Sequence, residues 1–127
     1  LQERVELIEC DLVEGVPAEL AQSFSVLVSN PPYIPTSVLE QEVPAEVKGF
    51  EPELALDGGE DGLDVYRRLL EAAPRMLLPG GMLCVELYEG HLDKAVHLAE
   101  QQGVWESVEV KEDLTHRPRI LVAHLAK

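Results

Sequence analysis

The sequence is poor in the residue types that mark several protein classes. Its two cysteines, Cys10 and Cys84, lie in apolar stretches without a second cysteine or a histidine at ligand spacing, so we expect both to be reduced, buried and structural. No apolar run reaches the roughly 18 residues of a membrane span, and no basic segment precedes a signal-like core. Basic residues number 10 against 24 acidic ones, and this net charge of −14 opposes binding along a phosphate backbone. The composition favours a cytoplasmic protein that acts on a protein or a small molecule.

Hydrophobic residues make up 46% of the 127 positions, enough for the core of one domain or part of one. Because the chain opens at Leu1 within a strand-like pattern, we expect it to be part of a longer protein. Alternating apolar and polar residues predict a strand over residues 5–9 that ends at Asp11, followed by a loop over 13–23. In chain order, the further predicted elements are a strand over 24–28, a helix over 61–78 that Pro74 kinks or ends, a stop at 79–81, a strand over 82–87, a helix over 91–102, and an antiparallel hairpin of strands over 107–111 and 119–125. Spacings of three and four predict the inward faces of the helices: Leu63, Tyr66, Leu69, Leu70, Ala73 and Leu77 on the first, and Leu92, Ala95, Val96 and Ala99 on the second.

The segment Ser29-Asn30-Pro31-Pro32-Tyr33 follows the predicted strand over 24–28. Its prolines fix φ near about −65° and exclude helical geometry from the residues before them, so the segment should be stiff before any ligand binds. Neither proline has an N–H, so the side chain of Asn30 and the carbonyl of Pro31 can face outward as two acceptors beside Tyr33. Two acceptors can hold both N–H bonds of a planar –NH2 group, a poor nucleophile that needs positioning rather than a strong base. The pattern predicts an amino-group clamp, and a proline-rich turn after an edge strand is the alternative.

Residues 34–61 form a long stretch without sustained periodicity, which in a compact domain is usually functional or disordered. Ser37, with Glu40 three residues later, predicts the start of a short helix over 37–46. Apolar residues return over 49–59, and we interpret that stretch as a wall folded over the clamp. For Glu51 within it, we prefer the role of a structural acceptor for backbone donors, and a general base is the alternative.

Asn-Pro-Pro-Tyr directly after a Val-Leu-Val-Ser strand resembles the fourth motif of amino-group methyltransferases that use S-adenosyl-L-methionine. The order of predicted elements resembles the second half of a class I methyltransferase, an α/β, Rossmann-like fold whose sheet has the strand order 3-2-1-4-5-7-6; strands three to seven fall within this chain. Further motifs narrow the resemblance to the HemK/PrmC family, which methylates the side-chain amide nitrogen of glutamine in the Gly-Gly-Gln motif of peptide chain release factors. These motifs are Phe50-Glu51-Pro52, the run from Ala55-Leu56-Asp57-Gly58-Gly59 to Asp61-Gly62, Ala73-Pro74-Arg75, and Asp113-Leu114 with Arg117 and Arg119.

The resemblance implies roles for residues around the clamp. Asn30 and Pro31 would hold the substrate amide, and Pro32 and Tyr33 would complete its pocket. On the cofactor side, Leu12 and Asn30 would line S-adenosyl-L-methionine. Asp11 would accept a hydrogen bond from its adenine amine, and a turn or helix-cap role for Asp11 is the alternative. No role as a metal ligand is implied, because the four histidines have no acidic or cysteine partner at ligand spacing.

The resemblance also shows what these residues lack and where they depart from the family. There is no Gly-x-Gly loop, no ribose-binding acid on a second strand, and no N-terminal helical domain to contact the release factor, so residues 1–127 resemble the C-terminal portion of the catalytic domain. The first glycine after strand five, Gly90, comes later in this chain than is usual in the family. His116 stands where the family commonly has a glycine. Without strands one and two, we expect one contiguous sheet from residue 24 onward and an exposed apolar edge at 24–28. We expect residues 1–12 to be displaced from that sheet, poorly ordered, or paired with another chain.

Other substrates share the same clamp. A ribosomal-protein glutamine is one alternative, and an adenine or guanine amine of a nucleic acid is another. The charge of −14 opposes the second. The expected partner is a peptide chain release factor, with no membrane and no direct nucleic-acid binding.

Overall fold

The structure is a computed structural model that describes residues 4–32 and 61–127. In these ranges, a mixed sheet carries two packed helices on one face. The elements are β1 (Phe24–Ser29), α1 (Asp64–Met76), β2 (Leu77–Glu86), α2 (Leu92–Gln101), β3 (Trp105–Glu112) and β4 (Pro118–Leu125), with 3-10 turns at Ala18–Leu20 and Glu89–His91. The predicted helix over 37–46, Tyr33, Glu51 and the wall over 49–59 lie outside the described residues.

The strands of the described chain are arranged in the order β1-β2-β4-β3. β1 runs parallel to β2, with Ser29 opposite Val85, whereas β4 is antiparallel to both β2 and β3. This order is the 4-5-7-6 part of the predicted sheet, including its antiparallel hairpin. One contiguous sheet from residue 24 onward is therefore confirmed.

The predicted strand over residues 5–9 is wrong. Residues 5–10 are exposed and form no strand, and the chain turns at Leu12, which has φ +52°. A strand needs partners for its backbone N–H and C=O groups, and among the described residues β1 has a neighbour on only one side. The sheet thus contains strands four to seven and not strand three, and the predicted displacement holds for residues 4–12. As expected for an edge without its neighbour, Val28 of β1 is 71% exposed.

The first helix ends at Met76, and Pro74 lies inside it instead of ending it. A proline at this position cannot donate to the carbonyl of Leu70 one turn earlier. The side chain of Gln102 replaces that donor, with its Nε2 2.8 Å from the Leu70 oxygen. The helix can therefore tolerate the proline because Gln102, 32 positions after Leu70 in the chain, supplies the missing hydrogen bond.

The predicted stop at 79–81 is also wrong, because β2 begins at Leu77 and runs through it. The register shifts between the Phe24–Leu77 and Val26–Met82 pairs, so the extra residues form an irregularity within the strand. Gly80 takes φ +83° there, a conformation that favours glycine. A proline-glycine sequence can therefore produce an irregularity in a strand that pairs with an edge strand, without ending it.

The core lies between the helices and one face of the sheet. The predicted inward face of α1 is confirmed, and the Tyr66 hydroxyl donates to the Ala95 carbonyl of α2 at 2.7 Å. Of the two cysteines expected to be buried, Cys84 is half-buried and Cys10 is exposed, since its segment lies outside the sheet. The fully buried members of the core are Tyr66, Ala73, Leu77, Leu83, Val85, Leu87, Ala95, Ala99, Leu121 and Ala123.

Candidate active site

The clamp segment leaves the sheet at the carboxyl end of β1. Because β1 and β2 are parallel, their carboxyl ends share one edge, which we call the carboxyl edge. Continuing the register from the Ser29–Val85 pair places Asn30 opposite Glu86. Asn30 is exposed, Pro31 is buried and Pro32 is half-buried. The backbone is thus anchored at Pro31 while the Asn30 side chain remains available to a ligand.

The same edge receives the loop between β3 and β4. Since β4 is antiparallel to β2, its first residues lie beside the end of β2, and Leu87 N–H donates to the Arg119 carbonyl at 2.7 Å. The loop is ordered by Asp113, whose Oδ1 accepts from the N–H of Thr115 at 2.8 Å and of Arg117 at 3.2 Å. The Thr115 hydroxyl, which donates to the same oxygen at 2.6 Å, and then these backbone bonds hold the pKa of Asp113 below its usual value. An ordered loop therefore lies at the carboxyl edge, with the end of β2 between it and the clamp.

His116 departs from the family pattern at this loop, and its backbone shows why a glycine is common there. Its φ is +63°, in the left-handed region that L-residues with a Cβ adopt at a cost of roughly 1–2 kcal/mol. The hydrogen bond from its N–H to the Asp113 carbonyl, 3.0 Å, holds it there. The loop keeps its turn despite the substitution.

A charged cluster, missed at the sequence level, lies where α1 begins. Asp61 binds Arg67 through both carboxylate oxygens and Lys94 Nζ at 2.9 Å, and it accepts from the Leu63 N–H at 3.0 Å. These bonds, Arg67 foremost, hold the pKa of Asp61 well below its usual range. An acid before a helix signals a cap, but Lys94 belongs to α2 and no sequence pattern links it to Asp61.

Asp11 and Leu12, two of the three residues predicted on the cofactor side, lie outside the sheet. The Asp11 carboxylate pairs with Arg68 Nη2 of α1 at 2.8 Å, and Leu12 lies in a turn, partly packed on the core. No strand carries them to the carboxyl edge. The carboxylate that the resemblance places beside adenine is thus paired with a guanidinium in this structure. Among these residues, no group of three His, Cys, Asp or Glu side chains could hold a metal ion.

The sequence was compared with known proteins. No family model matches the chain. It is 37% identical over 126 residues to the release factor glutamine methyltransferase of Clostridium acetobutylicum, covering 97% of this chain and 42% of that protein. The enzyme of the same name from Geobacter sulfurreducens is 48% identical over 100 residues, 79% of this chain and 34% of that one. The chain therefore spans less than half the length of these curated relatives.

The fold was compared with solved structures. A chain of the E. cuniculi Mtq2-Trm112 complex, described as methylating the eRF1 translation termination factor, superposes with a TM-score of 0.57 at 22% identity. The match covers 94% of this chain and 60% of that one. This likeness shows the class I methyltransferase fold, and it agrees with the strand order found here.

Proposed function

We propose that the protein containing this chain methylates a glutamine side-chain amide in the Gly-Gly-Gln motif of a peptide chain release factor. The reason is that the chain belongs to the family of release factor glutamine methyltransferases. The observation that carries the proposal is the placement of Asn30 and Pro31. An exposed side-chain acceptor stands next to a buried proline at the carboxyl end of a parallel strand. Ligands of open α/β sheets bind outside the carboxyl ends of the strands.

The chain's own residues supply positioning. Asn30 Oδ1 and the Pro31 carbonyl accept the two N–H bonds of the substrate amide and so fix the direction of its nitrogen. Burial of Pro31 keeps its carbonyl in place, so little reorganisation is needed when substrate binds. S-adenosyl-L-methionine, when bound, supplies an electrophilic methyl group on a sulfonium. The proton displaced from the nitrogen leaves to solvent, and no general base from this chain is required.

Leu12, Asn30 and Asp11 line the cofactor in this proposal. Asp11 would have to exchange Arg68 for the adenine amine, and the glycine loop and ribose acid are not among these residues. We expect residues 1–127 alone to bind S-adenosyl-L-methionine negligibly. Calorimetry that gave a micromolar dissociation constant would contradict this expectation.

The proposed partner is a protein and the proposed compartment is the cytoplasm. The charge of −14 supports a protein substrate over a nucleic acid. Among the described helices, none is long and apolar enough to cross a membrane.

Mass spectrometry of release factors tests the function. In cells that lack the full-length protein, the Gly-Gly-Gln glutamine should lose its methyl group, and the intact gene should restore it. The purified full-length protein should methylate a release factor but not the same factor with that glutamine replaced by asparagine. Unchanged methylation in the deletion cells would overturn the proposal.

A further inference from the structure

Tyr88 follows β2 at the carboxyl edge. Val85 and Leu87 are fully buried on the helix side of the sheet, and the N–H of Leu87 still pairs with β4. Tyr88 has φ −67° and ψ 129°, so the chain stays extended there. Because successive side chains of an extended chain point to opposite faces, Tyr88 shares the face of Glu86. Asn30 lies opposite Glu86 when the β1–β2 register is continued.

The Tyr88 ring lies against two neighbouring residues. The His91 ring meets it edge-on, with centroids 5.2 Å apart and an interplanar angle of 88°. Gly90 lies against it, since a Cβ added there would be 3.5 Å from Tyr88 Cε1. The side chain is nevertheless 45% exposed. A flat apolar surface is therefore ordered and open to solvent beside the clamp.

The spacing indicates which part of a substrate this surface meets. Tyr88 is two residues beyond the position opposite Asn30 and one strand away, which separates the two Cα atoms by about 8 Å. At this distance, Tyr88 cannot contact the same substrate amide as Asn30. It can contact the substrate backbone next to the residue that accepts the methyl group. A glycine peptide has no side chain to keep it away from an aromatic face, so the two surfaces can lie flat together.

We propose that Tyr88 binds the protein substrate by packing the exposed part of its ring on the glycines that precede the acceptor glutamine. Tyr88 is then a specificity-determining residue rather than part of the amide clamp. A ring already held by His91 and Gly90 loses little entropy on binding, so the contact favours association. The inference rests on the proposed function, because it presumes that Asn30 receives a glutamine amide.

The test uses the full-length enzyme, S-adenosyl-L-methionine and a purified release factor. Tyr88→Ala should raise KM for the release factor about tenfold, the loss expected when one aromatic contact is removed, and leave kcat within about twofold. Tyr88→Phe should behave as wild type. Val110→Ala, at a residue 39% exposed on β3, is the matched control and should change neither constant.

Coupling to the substrate separates recognition from a structural effect. Replacing the glycine before the acceptor glutamine by alanine should raise KM more for the wild type than for Tyr88→Ala, since the lost contact is the same one. If Tyr88→Ala melts below the assay temperature, Tyr88→Leu replaces it, and the same rise in KM for the release factor is expected.

Two results would overturn the inference: a KM for Tyr88→Ala within about twofold of wild type, or an equal penalty for the alanine substrate in both enzymes. In either case the wild-type enzyme would still methylate the release factor. A wild-type enzyme without that activity would instead overturn the proposed function.

Discussion

The buried centre of the sheet and its carboxyl edge differ in what they contribute. At the centre, Leu83, Val85 and Leu121 are fully buried against the helices. At the edge, Asn30 is exposed and Leu114 of the β3–β4 loop is 101% exposed, although hydrogen bonds order that loop. We expect stability to be concentrated in the first region and, under the proposed function, recognition in the second. Substitutions should therefore separate the two properties.

The largest expected effect is on stability, at the centre. Leu121→Ala removes a fully buried side chain from the middle of β4 and should lower the free energy of unfolding by about 2.7–5 kcal/mol. Urea unfolding of the 127-residue chain measures it. Leu114→Ala, the same substitution at the exposed edge, is the control and should change the midpoint little. Equal losses at the two positions would abolish the distinction between centre and edge.

The next effect is on turnover, at the edge. Asn30→Ala in the full-length enzyme should lower kcat by about 10² to 10³, roughly 2.7–4 kcal/mol, because it deletes one preorganised acceptor. Its melting temperature should stay unchanged, since the Asn30 side chain is exposed and outside the core. Turnover within about threefold of wild type would show that Asn30 is only a turn residue.

A smaller effect tests the polar contact inside the centre. Tyr66→Phe removes the hydroxyl that donates to Ala95 and should cost about 1.5 kcal/mol of unfolding free energy. Burial raises the pKa of Tyr66 above its usual range, because the phenolate would lose its hydration. The folded pKa exceeds the unfolded value of about 10, so this contribution is complete below pH 10 and is lost as the pH rises further. Urea unfolding between pH 8 and about pH 11 should show the wild type and Tyr66→Phe converging; parallel curves would contradict the assignment.

The smallest effect concerns the charged cluster. Asp61→Asn keeps an acceptor for Leu63 but loses the ion pairs with Arg67 and Lys94, which should cost about 1 kcal/mol at neutral pH. The pKa of Asp61 is lower in the folded than in the unfolded chain, so its contribution is present above about pH 4 and is lost as the pH falls below that value. High salt should reduce the difference between the two proteins, and a salt-independent difference would indicate packing instead.

Two similar apolar stretches show how far local pattern predicts the fold. Residues 5–9 alternate apolar and polar side chains, and residues 24–28 are mostly apolar. Only residues 24–28 form a strand, because β2 lies beside them. The buried faces of the helices were predicted correctly, because apolar residues spaced three and four apart lie on one side of a helix and that side packs on the core. The helix end was not, because the donor that replaces the missing Pro74 N–H comes from Gln102.

The candidate site divides in the same way. Asn30 and Pro31 were predicted because adjacent prolines restrict the chain locally, and the carboxyl end of β1 is where the structure places them. The role assigned to them stays a prediction. Asp61 with Lys94 could not be predicted, since the two residues are 33 positions apart and meet only when α1 packs beside α2.

By itself, the sequence determined the position of Asn30 and Pro31 directly after a strand, the apolar faces of the helices and the strands from residue 24 onward, because each depends on backbone restrictions or on spacing within one element. Only the tertiary structure decided which apolar stretch became a strand, how α1 accommodates Pro74, and which side chains surround the carboxyl edge. Those outcomes depend on hydrogen-bond partners and packing contacts between segments distant in the chain, and no local pattern specifies which segments will meet.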